Sequence, residues 1–536
     1  MTAIPLATLS RSESHSPKSE LSAVLALAIF LIIGVALRVV ALDRVPLGLN
    51  QDEACNGYDA YSLLRTGRDQ HGNRLPTVIQ AFNDYRMPLF DYSLVPIVGM
   101  LGLKAASVRL GAALWGSADL AAIALLGYLM LGARGGAAAI MLAALSPWQL
   151  SLSRFGHEAM TASATIGWAT ACFLHWQRRR WSGWLMLSGL LFGVSLYTYS
   201  ITKVFVPAWM ALLAIFYWDD VRRDAAKALA AAAIVVLCAV PQVVLLMRHG
   251  VELQARFAQV SIFSVSGWTL MTARDFLTGL AGHFRFDFLF IDGQGGTGAE
   301  LLHPPGFGQL LTVQAAMVAA ALCSLYDARY RMPVILLLDW LIIAAIPAAL
   351  TLPAPHMLRD VLAITPWTLL SALGLVFLLD LAAWPILVRR IAVGALMLAA
   401  LWEGAGFVRF YFGPYASIAA RSYQYGMEQV VRETERLSRS REPVIVTWRI
   451  NQPYIYFLFY LRYPPVLFQS ESPQQNPGLF ARVRGFDRYR FEDPVRAFAT
   501  LEHGIFVFPD VGDLPAPPTL SIRYPNGQTA YRILAK

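Results

Sequence analysis

The chain has 536 residues, of which 56% are hydrophobic and 15% charged. That composition, with long apolar runs recurring along most of its length, excludes a water-soluble protein and defines a polytopic membrane protein. The net charge of +9 does not indicate nucleic acid, because the arginines and lysines fall in short turns between apolar runs and not on one soluble segment with interleaved aromatics.

Residues 1–20 are mostly polar and carry Arg11 and Lys18; an apolar run from Leu21 to Leu42 follows, broken mainly by Arg38. No small-x-small cleavage site stands out, so this run is read as an uncleaved first span, with Arg38 snorkelling toward the far surface. Further spans are predicted over 107–131, 136–153, 159–176, 182–198, 201–218, 228–247, 309–325, 333–351, 361–383 and 391–410, for about eleven in all. Cys172, Cys238 and Cys323 lie within apolar runs and Cys55 has no partner on its side of the bilayer, so no disulfide or metal framework follows.

Charged turns set the orientation. With the N-terminus cytoplasmic, Arg134, Arg178-Arg179-Arg180, Arg222-Arg223-Lys227, Arg329-Arg331 and Arg389-Arg390 all fall on the cytoplasmic side. The loop after the first span, the turn at Glu158, the loop 248–308 and the turn at His356-Arg359 then share the extracytoplasmic face, together with the C-terminal tail.

In the first of these loops (43–106), Asp52 and Glu53 stand side by side about ten residues past the first span. Charge is costly in lipid, so an acidic pair here is either solvated or at work; it also suits a helix N-terminus. The end of the loop, Pro88-Leu89-Phe90-Asp91-Tyr92 through Pro96, is apolar but short and broken by prolines, which favours a surface helix over a crossing. From 411 to 536 the character changes. Residues 415–440 read as a helix, and Val444–Thr447 and Ile505–Phe508 as short buried strands, giving a small soluble α/β domain.

The Asp-Glu pair, the Pro-Leu-Phe-Asp-Tyr segment and Arg109 resemble the membrane glycosyltransferases of the C superfamily (GT-C). Leu145-Ser146-Pro147-Trp148, Ser153-Arg154-Phe155-Gly156-His157-Glu158, the His283-to-Phe290 segment and His303-Pro304-Pro305-Gly306-Phe307-Gly308 fit the same pattern, in the branch of bacterial protein O-mannosyltransferase and lipid A aminoarabinose transferase relatives. The resemblance spans roughly residues 25–410. It implies an all-α GT-C membrane domain (21–410) and an enzyme of a bacterial cytoplasmic membrane. That enzyme moves a hexosyl or pentosyl unit from a polyprenyl-phosphate carrier to an envelope acceptor, with inversion, on the outer face.

The resemblance places Asp52 as the base that takes the acceptor's proton, with Glu53 as an orienting or acceptor-binding group. Glu158 matches an acidic position at the start of the fourth span, where it binds acceptor or metal or caps the span; His157 beside it reads as packing or a hydrogen-bond partner. No cofactor is required by the sequence, although Asp52 and Glu158 offer a divalent cation two carboxylates. A departing lipid phosphate needs cationic partners. Arg359, His356, Lys203 and Arg86 are the candidates, each also suited to anchoring at lipid headgroups. His303 contacts the carrier or holds its loop. Trp148, Tyr197 and Tyr199 read as interface belt. Two other classes compete. A transporter or flippase would show repeats or acids at mid-membrane depth, and a noncatalytic scaffold would be indifferent to loss of Asp52.

Overall fold

The computed structural model describes residues 17–536 apart from 83, 268, 295–300, 439–441, 472–474, 477–481 and 511. The polar tail containing Arg11 therefore lies outside the described residues. Each of the eleven apolar segments is helical. Among the described residues, six helices are long and apolar enough to cross a membrane: Ser22–Val39, Ala105–Leu145, Ala225–Gly250, Ala328–Ala349, Val361–Asp380 and Ile386–Phe412. Ser182–Ser195, Thr202–Phe216 and Gln314–Tyr326 are apolar but shorter. Ala105–Leu145 is two helices joined at Gly132, whose φ of +74° breaks the run at a position that favours glycine. Ser146 then caps a short helix, Pro147–Ser153, with its Oγ accepting from Gln149 N and a proline in the first turn.

Two arginines bind the first helix, Pro17–Val39, into the bundle. Arg38 does not snorkel: it is fully buried and donates to Ala143 O at 3.2 Å and to the Gln149 side chain. A buried guanidinium with several carbonyl partners needs no route to water, which is why the expectation failed. Arg154 donates to the carbonyls of Leu37, Arg38, Val40, Ala41 and Val45. It satisfies much of the group of carbonyls that a helix C-terminus leaves without partners.

The predicted loop 248–308 is largely helical. Ala225–Val260 runs through a kink at His249, followed by Ile262–Ser266, Leu270–Gly282 and Phe286–Phe290. The expected surface segment is a helix over Leu89–Leu101 that tolerates Pro96.

The C-terminal region carries a six-stranded mixed sheet ordered Gly485–Phe486, Tyr489–Glu492, Val444–Thr447, Ile505–Pro509, Thr529–Ala535, Leu520–Arg523. Val444–Thr447 runs parallel to both neighbours, and the outer pairs are antiparallel. Its four buried residues explain the unbroken apolar run Val-Ile-Val. One face of the sheet has its own small core, where Ile445, Phe506, Phe508 and Leu534 pack with Ala497 of helix Pro494–Thr500; the other face shares its core with the bundle. Val430, Ile455, Phe457 and Ile533 pack in one continuous cluster with Leu49, Ala54, Tyr58, Phe90 and Val108 of the first loop and second span. Helix Gln51–Thr66, which bears the acidic pair, is thus embedded between the helical bundle and the sheet. Tyr58 Oη donates to Tyr463 O, and Tyr454 Oη to Gln70 Oε1.

Candidate active site

The two adjacent acids have separate surroundings. Asn50 caps the Gln51–Thr66 helix, its Oδ1 accepting from Asp52 N at 2.9 Å while Glu53 Oε2 accepts from Asn50 N at 3.0 Å. Glu53 is also bound by Arg109, Nε to Oε1 and Nη2 to Oε2, both at 2.9 Å, and its Oε1 accepts from Gly156 N at 3.0 Å. Arg109 spends its remaining donors on the carbonyls of Leu42, Pro46 and Gly48. Glu53 is wholly buried and both of its oxygens are engaged. In this arrangement its four hydrogen bonds tie Asn50, Arg109 and Gly156 together.

Asp52 points elsewhere, because successive helix residues are turned about 100° from each other. It is partly exposed, and its charge acts on His157, Tyr199 and Tyr456. His157 is the centre of the cluster. Its ring stacks on Phe155 at 5.4 Å and meets Tyr199 edge-on at 5.8 Å. Nδ1 accepts from Ala159 N at 3.1 Å, so Nε2 carries the proton and faces Glu158 Oε2 at 3.4 Å. Burial lowers the His157 pKa to about 4, keeping the ring neutral.

Glu158 occupies the N-cap position of helix Ala159–Arg179, yet its side chain makes no capping hydrogen bond. It is 4% exposed, and Oε2 has no hydrogen-bond partner among the described residues. Burial raises its pKa to about 7, partly opposed by Arg86. A buried carboxyl without a capping partner is an unspent polar group facing the cluster.

The four cationic candidates diverge. Arg359 donates through Nη1 to Thr351 Oγ1, Leu352 O and Pro353 O, and its charge reaches Tyr199, His283 and His356. His356 is not a cation. Burial first, then Arg359, His283 and His157, lower its pKa to about 3; its Nδ1 accepts from Leu358 N and it serves as a neutral group. His283 Nε2 accepts from His356 N and holds this turn in place. Arg86 is already committed to acids: it pairs with Asp59 at 2.8 Å, lies 3.6 Å from Asp91 and donates to Asn56 Oδ1. Lys203 is exposed on the first turn of helix Thr202–Phe216, and no charge of the cluster acts on it. His303 is a loop fastener, its Nε2 facing Phe307 O at 3.0 Å and Gly308 O at 3.2 Å, with Nδ1 toward Ser151 Oγ.

The structure therefore brings together Asp52, Glu158, Arg359 and His356, and adds His157, read from sequence as packing or a hydrogen-bond partner, and Tyr199, read as interface belt. The available signal for His157 was its place between Gly156 and Glu158 in a segment singled out as a whole. Among the described residues, no three His, Cys, Asp or Glu side chains gather as a metal-ligating set.

With this geometry in place, comparison with known proteins is informative. Residues 86–245 match the dolichyl-phosphate-mannose-protein mannosyltransferase family. No curated protein matches the chain. Among solved structures, ArnT from Cupriavidus metallidurans in the apo state aligns with a TM-score of 0.60 at 13% identity, covering 96% of this chain and 98% of that one. The same protein bound to undecaprenyl phosphate aligns at 0.59 and 14%, covering 96% and 97%. The fold is that of ArnT. The likeness runs over nearly the whole chain, the C-terminal sheet included.

Proposed function

We propose that the chain is an integral-membrane glycosyltransferase that moves a sugar from a polyprenyl-phosphate carrier to an acceptor on the extracytoplasmic face, with inversion. The observation that carries this reading is the division of labour in the acidic pair: Glu53 is locked by Arg109, which leaves Asp52 as the partly exposed carboxylate beside His157 and Tyr199. Asp52 takes the acceptor hydroxyl's proton as the oxygen attacks the anomeric carbon and the C–O bond to the carrier phosphate breaks. The phosphate leaves with the bonding electrons, facing the Arg359 guanidinium and the neutral His356 imidazole. Glu158, protonated near neutrality, donates a hydrogen bond to the sugar or acceptor.

A carrier of the undecaprenyl phosphate type is supported by the likeness to ArnT, and a sugar-phosphate lipid donor by the matched family. The donor sugar is proposed as a hexose or a pentose, and the acceptor as a protein, lipid or glycan of a bacterial envelope. If a divalent cation takes part, Asp52 and Glu158 are its carboxylate ligands. The basic turns argue for a cytoplasmic N-terminus and an extracytoplasmic C-terminal sheet.

The test is transfer from radiolabelled undecaprenyl-phosphate sugars in membranes containing this protein or its Asp52→Asn form, with label fractionated into lipid, protein and glycan. Label that requires Asp52 supports the reading. Equal label with a folded, inserted Asp52→Asn variant overturns it.

A further inference from the structure

Away from the candidate active site, an apolar groove of about 470 Å³ opens between four helices. Helix Ala159–Arg179 begins beside Glu158 and reaches the groove at Phe173, about 20 Å further along its axis at 1.5 Å per residue. The groove is therefore at the opposite end of the bundle from Asp52. Leu185, Met210, Leu213, Ala228 and Ala232 supply its walls from the other three helices, and Trp218 and Arg222 stand at its mouth. The outer flank faces away from protein: Leu229 is 72% exposed, Val236 64% and Leu237 69%. On a membrane-spanning bundle, that flank is lipid.

Charge at the mouth is unbalanced. The two abutting turns carry Arg178, Arg179, Arg180, Arg222, Arg223 and Lys227 against Asp219, Asp220 and Asp224. Arg180 is taken by Asp220, and Lys227 by Asp224 at 2.8 Å. Arg222 and Arg223 are exposed and make no salt bridge among the described residues, although the Arg223 charge also acts on Asp224. Unspent arginines beside an apolar slot between spans match an anionic phospholipid, phosphate on the guanidinium and alkyl chain in the slot. A second helix does not fit inside, being about 10 Å across with its side chains.

We propose that this groove is a binding site for an anionic phospholipid, with one acyl chain between the Ser182–Ser195 and Ala225–Val260 helices and its phosphate on Arg222 and Arg223. The site is independent of what the opposite face transfers. It ties the lipid composition of one leaflet to the packing of the helices that begin at Glu158 and follow Tyr199.

The test uses the full-length protein in neutral detergent micelles, titrated with phosphatidylglycerol or with phosphatidylcholine of the same acyl chains. Thermal unfolding and co-purified lipid are read after solvent extraction. Phosphatidylglycerol should raise the Tm and be retained in preference to phosphatidylcholine. The Arg222→Gln/Arg223→Gln variant should weaken that binding about fivefold for each arginine removed, and the Arg222→Lys/Arg223→Lys variant should keep most of it. Ala228→Phe, which fills the slot, should lose retention of both lipids. The proposal is overturned by equal effects of the two lipids on the native protein, or by a glutamine variant that responds like the native protein. It is also overturned if Ala228→Phe converts a dimer in the micelle to a monomer, since the groove would then be a contact between copies.

Discussion

Glu53 and Arg109, 56 positions apart in sequence, meet as a bidentate ion pair with neither side chain exposed to solvent. Breaking a buried pair from one side leaves the other charge unpaired, which costs about 3–5 kcal/mol. Glu53→Gln and Arg109→Ala are each expected to lower the Tm sharply. The double variant should be less destabilised than the sum of the singles. Thermal unfolding of the four proteins in detergent completes the cycle; strict additivity would mean that the pair is not coupled.

Asp52→Asn should behave in the opposite way. As a first-turn acid, Asp52 contributes at most about 1 kcal/mol through the helix dipole. As the base, its loss should cost about 10²–10⁴ in transfer rate. Rate and Tm measured on the same preparation separate the neighbours: Asp52→Asn loses rate and keeps stability, whereas Glu53→Gln loses both.

Glu158 makes stability depend on pH. Burial raises its folded-state pKa from 4.5 to about 7, so the folded protein holds a proton that the unfolded chain releases at lower pH. The contribution is fully present below about 4.5 and is lost as pH rises toward 7, by at most about 3 kcal/mol. Glu158→Gln should flatten the fall in Tm across that window. A slope unchanged by the substitution would assign it to another group.

Arg359→Lys keeps the charge but loses the planar fork. If the guanidinium holds the carrier phosphate, the KM for the lipid donor should rise about tenfold, as expected for one charge-assisted hydrogen bond, with the chemical step less affected. A changed kcat at unchanged KM would place Arg359 away from the carrier.

Gly48 tests the tie between the first loop and the turn at Tyr423–Tyr425. It sits at φ +90°, and a Cβ there would collide with the backbone of Tyr423 and Tyr425. Gly48→Ala should break the 2.6 Å bond from Leu49 N to Tyr423 O, and it adds backbone strain of about 1 kcal/mol or more. Loss of transfer with an intact helical spectrum would show that the turn at Tyr423–Tyr425 positions the acidic helix.

The helices were legible because hydropathy is a local signal: each apolar run is long enough to report its own state. The 248–308 segment was misread as loop because its helices are short or amphipathic, so no window is apolar throughout; Leu270–Gly282 leaves Leu270 91% exposed. The site was half legible. Asp52 and Glu158 announced themselves as charges beside apolar runs, but nothing local says that Glu53 would be consumed by Arg109 or Arg86 by Asp59. Those pairings exist only once the chain folds. Tyr199 was misplaced for the same reason, since a tyrosine near a span end looks like an interface residue until its ring is seen against His157.

The Glu53 carboxylate receives hydrogen bonds from both the Asn50 turn and the Gly156 backbone. The strip carrying Asp52 and the strip carrying His157 and Glu158 are therefore clamped by one side chain, and they move as a single rigid jaw. A bulky lipid donor cannot enter by prising these two strips apart, because doing so strips a buried carboxylate of its partners. The facing 353–360 turn, which carries Arg359, is held instead by separate bonds to different elements, His356 N to His283 Nε2, Met357 N to Gln294 Oε1 and Trp148 Nε1 to Met357 O, so losing one of them leaves the others in place.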